Sequence, residues 1–321
     1  MEEPKPVRHF AKRIIDFREL GLELGILFNP IGNHSLLPLD DGNWLACFRR
    51  FQYYIEGDRY SYQSSPNMFY TDSNHHVFVL LDRDFNLVRR IENPVSEYFH
   101  TDKWASAFLY DVKDPYLEDA RFTRWGNDIY LTSAIYYYQN EVKRWATEIQ
   151  KLEIHEDHID AHHFWNTLEH GIESIQKNWM SVPDRPFHFI TATSTEGAKY
   201  IDITGDRFIE SGEYNPRELY GGSANLLKCA DGYWTITHRY FHGQRLRRTY
   251  ENYIVKYDRD LRPVYFSRPF KFCAQGIEFV TSIVELPQNE VVVCVTEMDD
   301  LPEIHIYDKD VLLELVSKDM R

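Results

Sequence analysis

The chain has 321 residues, with 36 Lys and Arg against 50 Asp and Glu, and its formal net charge is −14. This charge would repel a phosphate backbone, so the sequence argues against nucleic acid as a partner. No apolar run approaches the roughly 18 residues that a membrane-spanning helix needs, and the first residues lack a secretory signal pattern. We therefore expect a cytoplasmic protein without a membrane span.

The elements predicted along the chain are mostly β-strands. Residues 8–20 have the apolar spacing of a short amphipathic helix, and residues 163–176 have that of a second one. Elsewhere, short runs rich in Val, Ile, Tyr, Phe and Thr are separated by turn formers, which is typical of strands. Four cysteines lie in these runs without a Cys-x-x-Cys pair, so we expect buried free thiols. Strands without intervening helices favour a sandwich, a barrel or a propeller.

A repeated pattern divides the strands into five units. In each unit a polar motif leads through turn residues into an apolar strand, and the units begin at Phe28, Leu117, Lys177, Gly221 and Gly276. The intervals leave room for four strands in each unit, with inserts in the first. We predict an all-β, five-bladed β-propeller in which residues 1–321 form a single domain and residues 1–27 form an N-terminal extension packed on the propeller.

The motif at the second unit carries two carboxylates and an arginine just before an apolar strand. In a propeller the first strand of each blade lines the central channel, so Glu118, Asp119 and Arg121 would face one axial pocket. A carboxyl beside a like charge in an enclosed pocket retains its proton more readily, and the planar guanidinium suits an anionic group. The alternative is a salt bridge that only stabilises the start of the blade.

These motifs resemble those of five-bladed propeller enzymes that cleave or make β-mannosides. That family comprises the β-mannoside phosphorylases and the related β-1,2-mannosyltransferases, which are similar to glycoside hydrolases. Glu118-Asp119-Ala120-Arg121 is similar to the Glu-Asp-Pro-Arg motif that opens their second blade, with Ala in place of Pro. Further resemblances over residues 28–300 are Asn29-Pro30 in the first blade, His238 in the fourth, and Asp299-Asp300 in the fifth.

The resemblance implies that Asp119 is the catalytic general acid, which protonates the glycosidic oxygen directly or through a sugar hydroxyl. Arg121 would position a phosphate or a nucleotide diphosphate. We expect no cofactor and no metal ion. The residues expected to bind substrate are Asn29, Asn33, Arg49, Glu118, Arg121, Lys177, Asn178, His238, Arg239, Glu278 and Asp299.

The type of reaction follows from a departure from the family pattern. The strand Phe-Ile-Thr-Ala-Thr at residues 189–193 lacks the basic residue with which the phosphorylases help to hold inorganic phosphate, although Lys177, Arg185, His238 or Arg239 could replace it. The sequence therefore favours transfer of a glycosyl residue, specifically mannosyl, with inversion. The donor would be a sugar phosphate or a nucleotide sugar, and the acceptor a sugar or glycan.

Three alternatives remain open at this point. The first is phosphorolysis of a β-mannoside with inorganic phosphate. The second is an inverting hydrolase in which Asp119 or Glu118 is the acid and Glu278 or Asp299 activates water. The third is a carbohydrate-binding propeller without catalytic activity, in which aromatic side chains stack on sugars.

One histidine-rich stretch stands apart from these motifs. Residues 155–163 contain four histidines and three acidic residues, and on a helix His158 and His162 would share a face, as zinc ligands can. The stretch lies where an outer strand or a connecting loop belongs, and no companion motif of a known metalloenzyme accompanies it. We predict a solvated polar segment rather than a metal site.

Overall fold

The fold is an all-β propeller whose five sheets form a ring, as the sequence predicts. The computed structural model describes residues 6–20, 31–50, 53–56, 59–62, 76–91, 116–139, 142–167, 178–204, 209–212, 215, 220–242, 248–273, 277–298 and 301–317. Within these ranges, no helix is long and apolar enough to cross a membrane.

Each blade is an antiparallel sheet whose first strand is the inner one. Blade 1 contains β2 (Ile31–Pro38), β3 (Trp44–Arg50), β6 (His76–Leu81) and β7 (Leu87–Ile91). Blade 2 contains β8 (Tyr116–Trp125), β9 (Asp128–Gln139), β10 (Val142–Ile154) and β11 (Ile159–Asn166). Blade 3 contains β12 (Met180–Ser181), β13 (His188–Thr193), β14 (Ala198–Asp202) and β15 (Ile209–Ser211).

The last two blades follow the same plan. In blade 4, β16 (Gly221–Gly222) and β17 (Leu227–Cys229) both pair with β18 (Gly232–His242), which is followed by β19 (Arg248–Asp258) and β20 (Pro263–Phe266). Blade 5 contains β21 (Glu278–Leu286), β22 (Glu290–Glu297), β23 (Leu301–Asp308) and β1 (Arg13–Asp16). The hairpin of β4 (Tyr53–Glu56) and β5 (Arg59–Tyr62) is an insert in blade 1, and α1 (Lys309–Ser317) follows β23.

Strand β1 closes the ring, because it is the outer strand of the last blade. It pairs with β23 from Arg13 opposite Ile306 to Asp16 opposite Glu303. The predicted amphipathic helix over residues 8–20 is therefore wrong: a short 3₁₀ helix at Arg8–Phe10 precedes a strand. The backbone hydrogen bonds that β23 offers outweigh a weak local helical preference, which is a common tertiary effect.

The second predicted helix also begins wrongly. Its first residues, 163–166, belong to strand β11, whose backbone hydrogen bonds are with β10 and not with its own next turn, as a helix would need. Residues 168–176 of that segment lie outside the described residues.

The apolar core is divided among the five joints between neighbouring blades. One buried cluster fills each joint, and pairs that represent them are Phe48 with Val292, Leu45 with Phe122, Trp125 with Phe189, Met180 with Val255, and Ile236 with Val293. Burying one large apolar side chain contributes about 1.5–3 kcal/mol, so each joint is held mainly by the hydrophobic effect. The thiols of Cys47, Cys273 and Cys294 are buried and free, and that of Cys229 is free and half-buried.

Polar contacts at the centre of the ring then fix the inner strands relative to one another. The Ser35 hydroxyl of β2 accepts a 3.1 Å hydrogen bond from the amide of Phe122 on β8. The hydroxyls of Thr123 on β8 and Ser181 on β12 are 2.7 Å apart. Because these contacts join blades 1, 2 and 3, residues at the starts of the inner strands are held in fixed positions.

Candidate active site

The inner strands of blades 1 and 2 each contain a β-bulge near their start. The pairing register shifts between Gly32 and Ser35 on β2, and between Glu118 and Arg121 on β8. Within these bulges Asn33 has φ 41° and Asp119 has φ 49°, both in the left-handed region. Asn and Asp adopt this conformation more readily than most residues, yet it still costs on the order of 1–3 kcal/mol. Bulges redirect side chains, and these two direct Asn33 and Asp119 toward each other.

A buried network of hydrogen bonds surrounds the carboxylate of Asp119. Asn33 Nδ2 donates to Asp119 Oδ1 over 2.7 Å, and Arg49 Nη1 donates to the same oxygen over 3.1 Å. The second terminal nitrogen of Arg49 donates to Glu118 Oε1 over 2.5 Å. Asp119 is 1% exposed and Arg49 is 3% exposed, so this ion pair is removed from water.

The guanidinium of Arg49 changes the electrostatics that the sequence suggested. The sequence predicts a proton-retaining Asp119 from burial and from repulsion by Glu118; Asp119 is indeed buried, but the positive charge of Arg49 lies between the two carboxylates. That charge favours the ionised form of both groups. In the alternative interpretation, Arg121 would form a salt bridge with a neighbouring carboxylate. Among the described residues, Arg49 from the second strand of blade 1 forms these ion pairs.

Arg121 reaches across the ring to blade 4. Its Nε donates to the backbone carbonyl of Ser223 over 2.5 Å, and its Nη1 donates to the backbone carbonyl of Asp119 over 2.6 Å. The remaining nitrogen, Nη2, is buried and has no hydrogen-bond partner among the residues that the structure describes. Burial lowers the pKa of Arg121 to about 10, and the charge of Asp119 opposes the shift, so the guanidinium is still positive at neutral pH. An oxygen acceptor of a ligand would satisfy this unpaired donor.

Blades 4 and 5 complete the cluster through an imidazole and a phenyl ring. His238 Nδ1 lies 2.7 Å from the hydroxyl of Ser223, the residue that also accepts from Arg121. The ring of Phe279 is 5.1 Å from that of His238, and the guanidinium carbon of Arg121 is 5.8 Å from the Phe279 centroid. Gly221 leaves room for this ring, because a Cβ on it would be 2.8 Å from His238 Nε2 and the imidazole would have to shift.

Glu278 is the first residue of β21 and is fully buried. Its Oε2 accepts hydrogen bonds from the backbone amides of Phe272 and Cys273, at 2.5 and 3.3 Å, and from Asn252 Nδ2 at 3.4 Å. Within the described ranges, its Oε1 has no partner. Burial raises the pKa of Glu278 to about 8, even though those backbone hydrogen bonds lower it. The carboxyl is therefore mostly protonated at neutral pH, and its contacts are with blade 4 rather than with Asp119.

The structure thus connects most of the predicted site residues that it describes. Asn33, Arg49, Glu118, Asp119 and Arg121 form one network, which Ser223 extends to His238. Asn178 is buried at the joint with blade 4, where its carbonyl leaves no room for a side chain on Gly222.

Other predicted residues lie elsewhere. Arg239 follows His238 on β18 and lies over the rings of Tyr220 and Phe241, at 5.1 and 5.4 Å, apart from the network. Asn29, Lys177 and Asp299 are outside the described residues.

Sequence reasoning missed three residues that the network uses. They are Ser223, whose carbonyl binds Arg121; Phe279, which packs on Arg121 and His238; and Thr296, whose hydroxyl accepts a 2.7 Å hydrogen bond from the amide of Asn33. Ser223 and Phe279 lie in the polar-to-apolar motifs that open blades 4 and 5, so their positions were a usable signal. Thr296 lies on a second strand, where no such motif exists.

Comparison with known proteins identifies solved structures with the same fold. No family model matches the sequence, and no curated protein matches it. The β-1,2-mannobiose phosphorylase of Listeria innocua superposes with a TM-score of 0.56 at 10% identity, over 95% of this chain and 99% of that one. The chain shares its five-bladed fold. The resemblance predicted from the blade motifs is therefore confirmed at the level of the fold.

Two further solved structures show the same propeller. A GH43 β-1,3-galactosidase has a TM-score of 0.52 at 9% identity, over 85% of this chain and 89% of that one. A mannose phosphorylase from Leishmania mexicana, solved with a phosphate ion, has a TM-score of 0.50 at 11% identity, over 92% of this chain and 89% of that one.

Proposed function

We propose that this propeller is a carbohydrate-active enzyme that transfers a glycosyl residue, specifically mannosyl, with inversion. The donor is a sugar phosphate or a nucleotide sugar, and the acceptor is a sugar or glycan. The observation that carries the proposal is the buried network around Asp119, in which Asn33 and Arg121 from the starts of inner strands meet Arg49 from the second strand of blade 1. Similarity to two phosphorylases that act on mannose compounds supports the choice of sugar.

Asp119 is the residue that moves the proton in this proposal. Transfer to an acceptor hydroxyl requires a base, because the hydroxyl loses its proton as the new glycosidic bond forms. Arg49 and Asn33 hold Asp119 Oδ1 and favour the ionised carboxylate, which is the form that a base needs. In the reverse reaction the same group returns the proton to the glycosidic oxygen, so the role of general acid belongs to the opposite direction.

Arg121 is the residue proposed to hold the anionic part of the donor. Its Nε and Nη1 are fixed by two backbone carbonyls, so Nη2 is presented without the entropy cost of ordering a flexible side chain. Asp119 and Glu118 balance the charge of Arg49, so within the described network Arg121 is the positive charge available to a phosphate oxygen.

Inverting hydrolysis is the second candidate, and Glu278 is the reason. An inverting hydrolase needs one protonated and one ionised carboxyl group, and the environments of Glu278 and Asp119 favour opposite states. Glu278 would then donate the proton and Asp119 would activate water, which reverses the roles that the sequence suggested for these two residues. The similarity to a β-1,3-galactosidase fold is compatible with this reaction class.

Product analysis distinguishes the candidates. The purified protein is incubated with β-mannosides and inorganic phosphate, with β-mannosides alone, and with nucleotide sugars or sugar 1-phosphates plus a mannoside acceptor. A longer glycan formed from an activated donor supports transfer, release of sugar 1-phosphate that depends on phosphate supports phosphorolysis, and free sugar supports hydrolysis. Proton NMR of the first product gives its anomeric configuration. Binding of sugars without any product would overturn the enzymatic proposal in favour of a binding propeller.

A further inference from the structure

The hairpin between β10 and β11, on the outer side of blade 2, brings together three side chains that can ligate a metal. His155 Nε2 lies 3.1 Å from Asp160 Oδ2, and His158 Nε2 lies 3.7 Å from the same oxygen. All three ligand atoms lie within 4.8 Å of one another. Around a tetrahedral zinc ion with bonds of about 2.0–2.1 Å, ligand atoms are separated by roughly 3.3 Å, so the two His–Asp distances are already close to those of a zinc site.

The hairpin holds the two imidazoles face to face. The amide of His155 donates to the carbonyl of His158 over 2.9 Å and closes the turn, and the flanking Ile159 is fully buried. The two rings are stacked, with centroids 4.4 Å apart and planes 14° from parallel. Because a metal ion lies close to the plane of each imidazole that binds it, one of the two stacked rings must rotate about its side-chain bonds before both nitrogens reach the same ion.

Asp157 supplies the support that metal-binding histidines usually have. Its Oδ1 accepts a 2.6 Å hydrogen bond from His158 Nδ1, which leaves Nε2 as the nitrogen with a lone pair. A carboxylate on the far nitrogen of a ligating histidine fixes the ring and raises its basicity. Asp157 is 85% exposed, so its position is not imposed by packing of the blade.

The sequence predicts a solvated polar segment here rather than a metal site, and helical spacing would pair His158 with His162. The hairpin instead places His158 next to His155. His162 lies on β11 and its Nε2 is 3.9 Å from Glu153 Oε1, away from His158. We propose that His155, His158 and Asp160 bind one divalent transition-metal ion, zinc in preference, with a fourth position open to solvent. The donor set of two imidazoles and one carboxylate suits zinc, and an open position is typical of sites that also take water or a further ligand.

Metal binding to the intact, chelator-treated protein tests this site without any assay of enzymatic activity. Isothermal titration with ZnCl₂ should show one tight site per chain, and the visible spectrum with Co²⁺ should show a tetrahedral complex. The double variant H155A/D160N should lose that site, and Asp157→Asn should weaken it by about 10–100-fold. Thermal unfolding of each variant without metal shows whether the hairpin variants still fold.

His162→Ala is the matched control, because it removes an exposed histidine from the same strand as Asp160. It should retain the site with unchanged affinity. The proposal is overturned if the wild type binds no zinc, if H155A/D160N folds and binds as the wild type does, or if His162→Ala removes the site.

Discussion

Asn33 and Asp119 both have left-handed backbone conformations, in bulges of neighbouring blades. The side-chain amide of Asn33 donates a 2.7 Å hydrogen bond to the carboxylate of Asp119. Each conformation is unfavourable by itself, so the surrounding structure must hold it in place. The ion pair with Arg49 holds Asp119, and the hydrogen bond from the backbone amide of Asn33 to the Thr296 hydroxyl holds Asn33. Closure of the ring alone does not require two such residues in contact, and a fixed carboxylate is what proton transfer requires.

The first prediction concerns Asp119→Asn. Asn has nearly the same shape and tolerates a positive φ, so the fold and sugar binding should be retained. An amide cannot take the proton of an acceptor hydroxyl, and we expect kcat to fall by about 10² to 10⁴. Steady-state kinetics on the substrate found by product analysis measures this effect.

Glu118→Gln is the matched comparison for that variant, because it removes the other carboxylate that pairs with Arg49. It should reduce kcat much less than Asp119→Asn. If Asp119→Asn keeps wild-type turnover while Glu118→Gln does not, the proton-transfer role belongs to Glu118. If Asp119→Asn unfolds the protein, the ion pair with Arg49 is structural, since loss of a buried partner is what destabilises such pairs.

The second prediction concerns Arg121→Lys, which retains the charge and loses the planar fork. A lysine cannot bind the carbonyls of Ser223 and Asp119 and still present a further donor in the same geometry. A hydrogen bond to a charged group contributes about 1.5–3 kcal/mol, so KM for a phosphate-bearing donor should rise by about tenfold or more. KM for the neutral acceptor should change less.

Arg124→Lys is the control for that measurement. Arg124 is on the same strand, but it pairs with the exposed Asp40 at the surface. Both KM values should stay at the wild-type level in this variant. An equal rise of both KM values in Arg121→Lys would mean that Arg121 supports the fold of the site and does not recognise the anion.

Much of this architecture can be predicted from the sequence, because the signal is local. The polar motifs before β2, β8, β12, β16 and β21 mark the inner strands, and the period of the apolar runs distinguishes strands from helices. The same motifs supplied Asn33, Asp119, Arg121, His238 and Glu278 as site residues.

What the sequence could not supply depends on contacts between distant segments. Strand β1 is a strand because β23 pairs with it from the other end of the chain, so its own spacing misleads. The position of Arg49 between Glu118 and Asp119 depends on the joint between blades 1 and 2. The bulges are invisible for a similar reason, since a register shift is a property of two paired strands.

The third prediction is a pH effect on stability that arises from Glu278. Its pKa is about 8 in the folded protein, above the ordinary value of 4.5, because burial disfavours the charge. Between those pH values the folded state keeps a proton that the unfolded state has released. The free energy of unfolding therefore decreases with rising pH, by up to about 1.4 kcal/mol per unit from this group.

Glu278→Gln mimics the protonated carboxyl and should remove this contribution. Urea unfolding at pH 5, 6, 7 and 8 should show that the variant gains stability over the wild type as the pH rises. Glu285→Gln, at an exposed position on the same strand, should show the same pH dependence of unfolding as the wild type. Parallel curves for Glu278→Gln and wild type across this range would contradict the raised pKa.

The last prediction concerns Glu303, whose pKa is lowered, whereas that of Glu278 in the same blade is raised. Burial would raise the pKa of Glu303, but hydrogen bonds and charges from His305 and Arg8 outweigh burial and lower it. Arg8 Nη2 and His305 Nε2 each lie 2.7 Å from one of its oxygens. Because the folded pKa lies below the unfolded one, this group stabilises the fold above pH 4.5, and the effect is lost as the pH falls through the folded pKa.

Glu303→Gln should therefore lower the free energy of unfolding at pH 7, and the difference from the wild type should shrink as the pH falls below about 4.5. Arg8 precedes β1 and Glu303 lies on β23, so the ion pair helps to fasten the strand that closes the ring. Limited proteolysis should accordingly cut the N-terminal segment faster in Glu303→Gln than in Glu290→Gln, which removes the more exposed pair with Lys12. Equal cleavage rates, or a stability difference that does not change with pH, would show that the Glu303 carboxylate does not secure this strand.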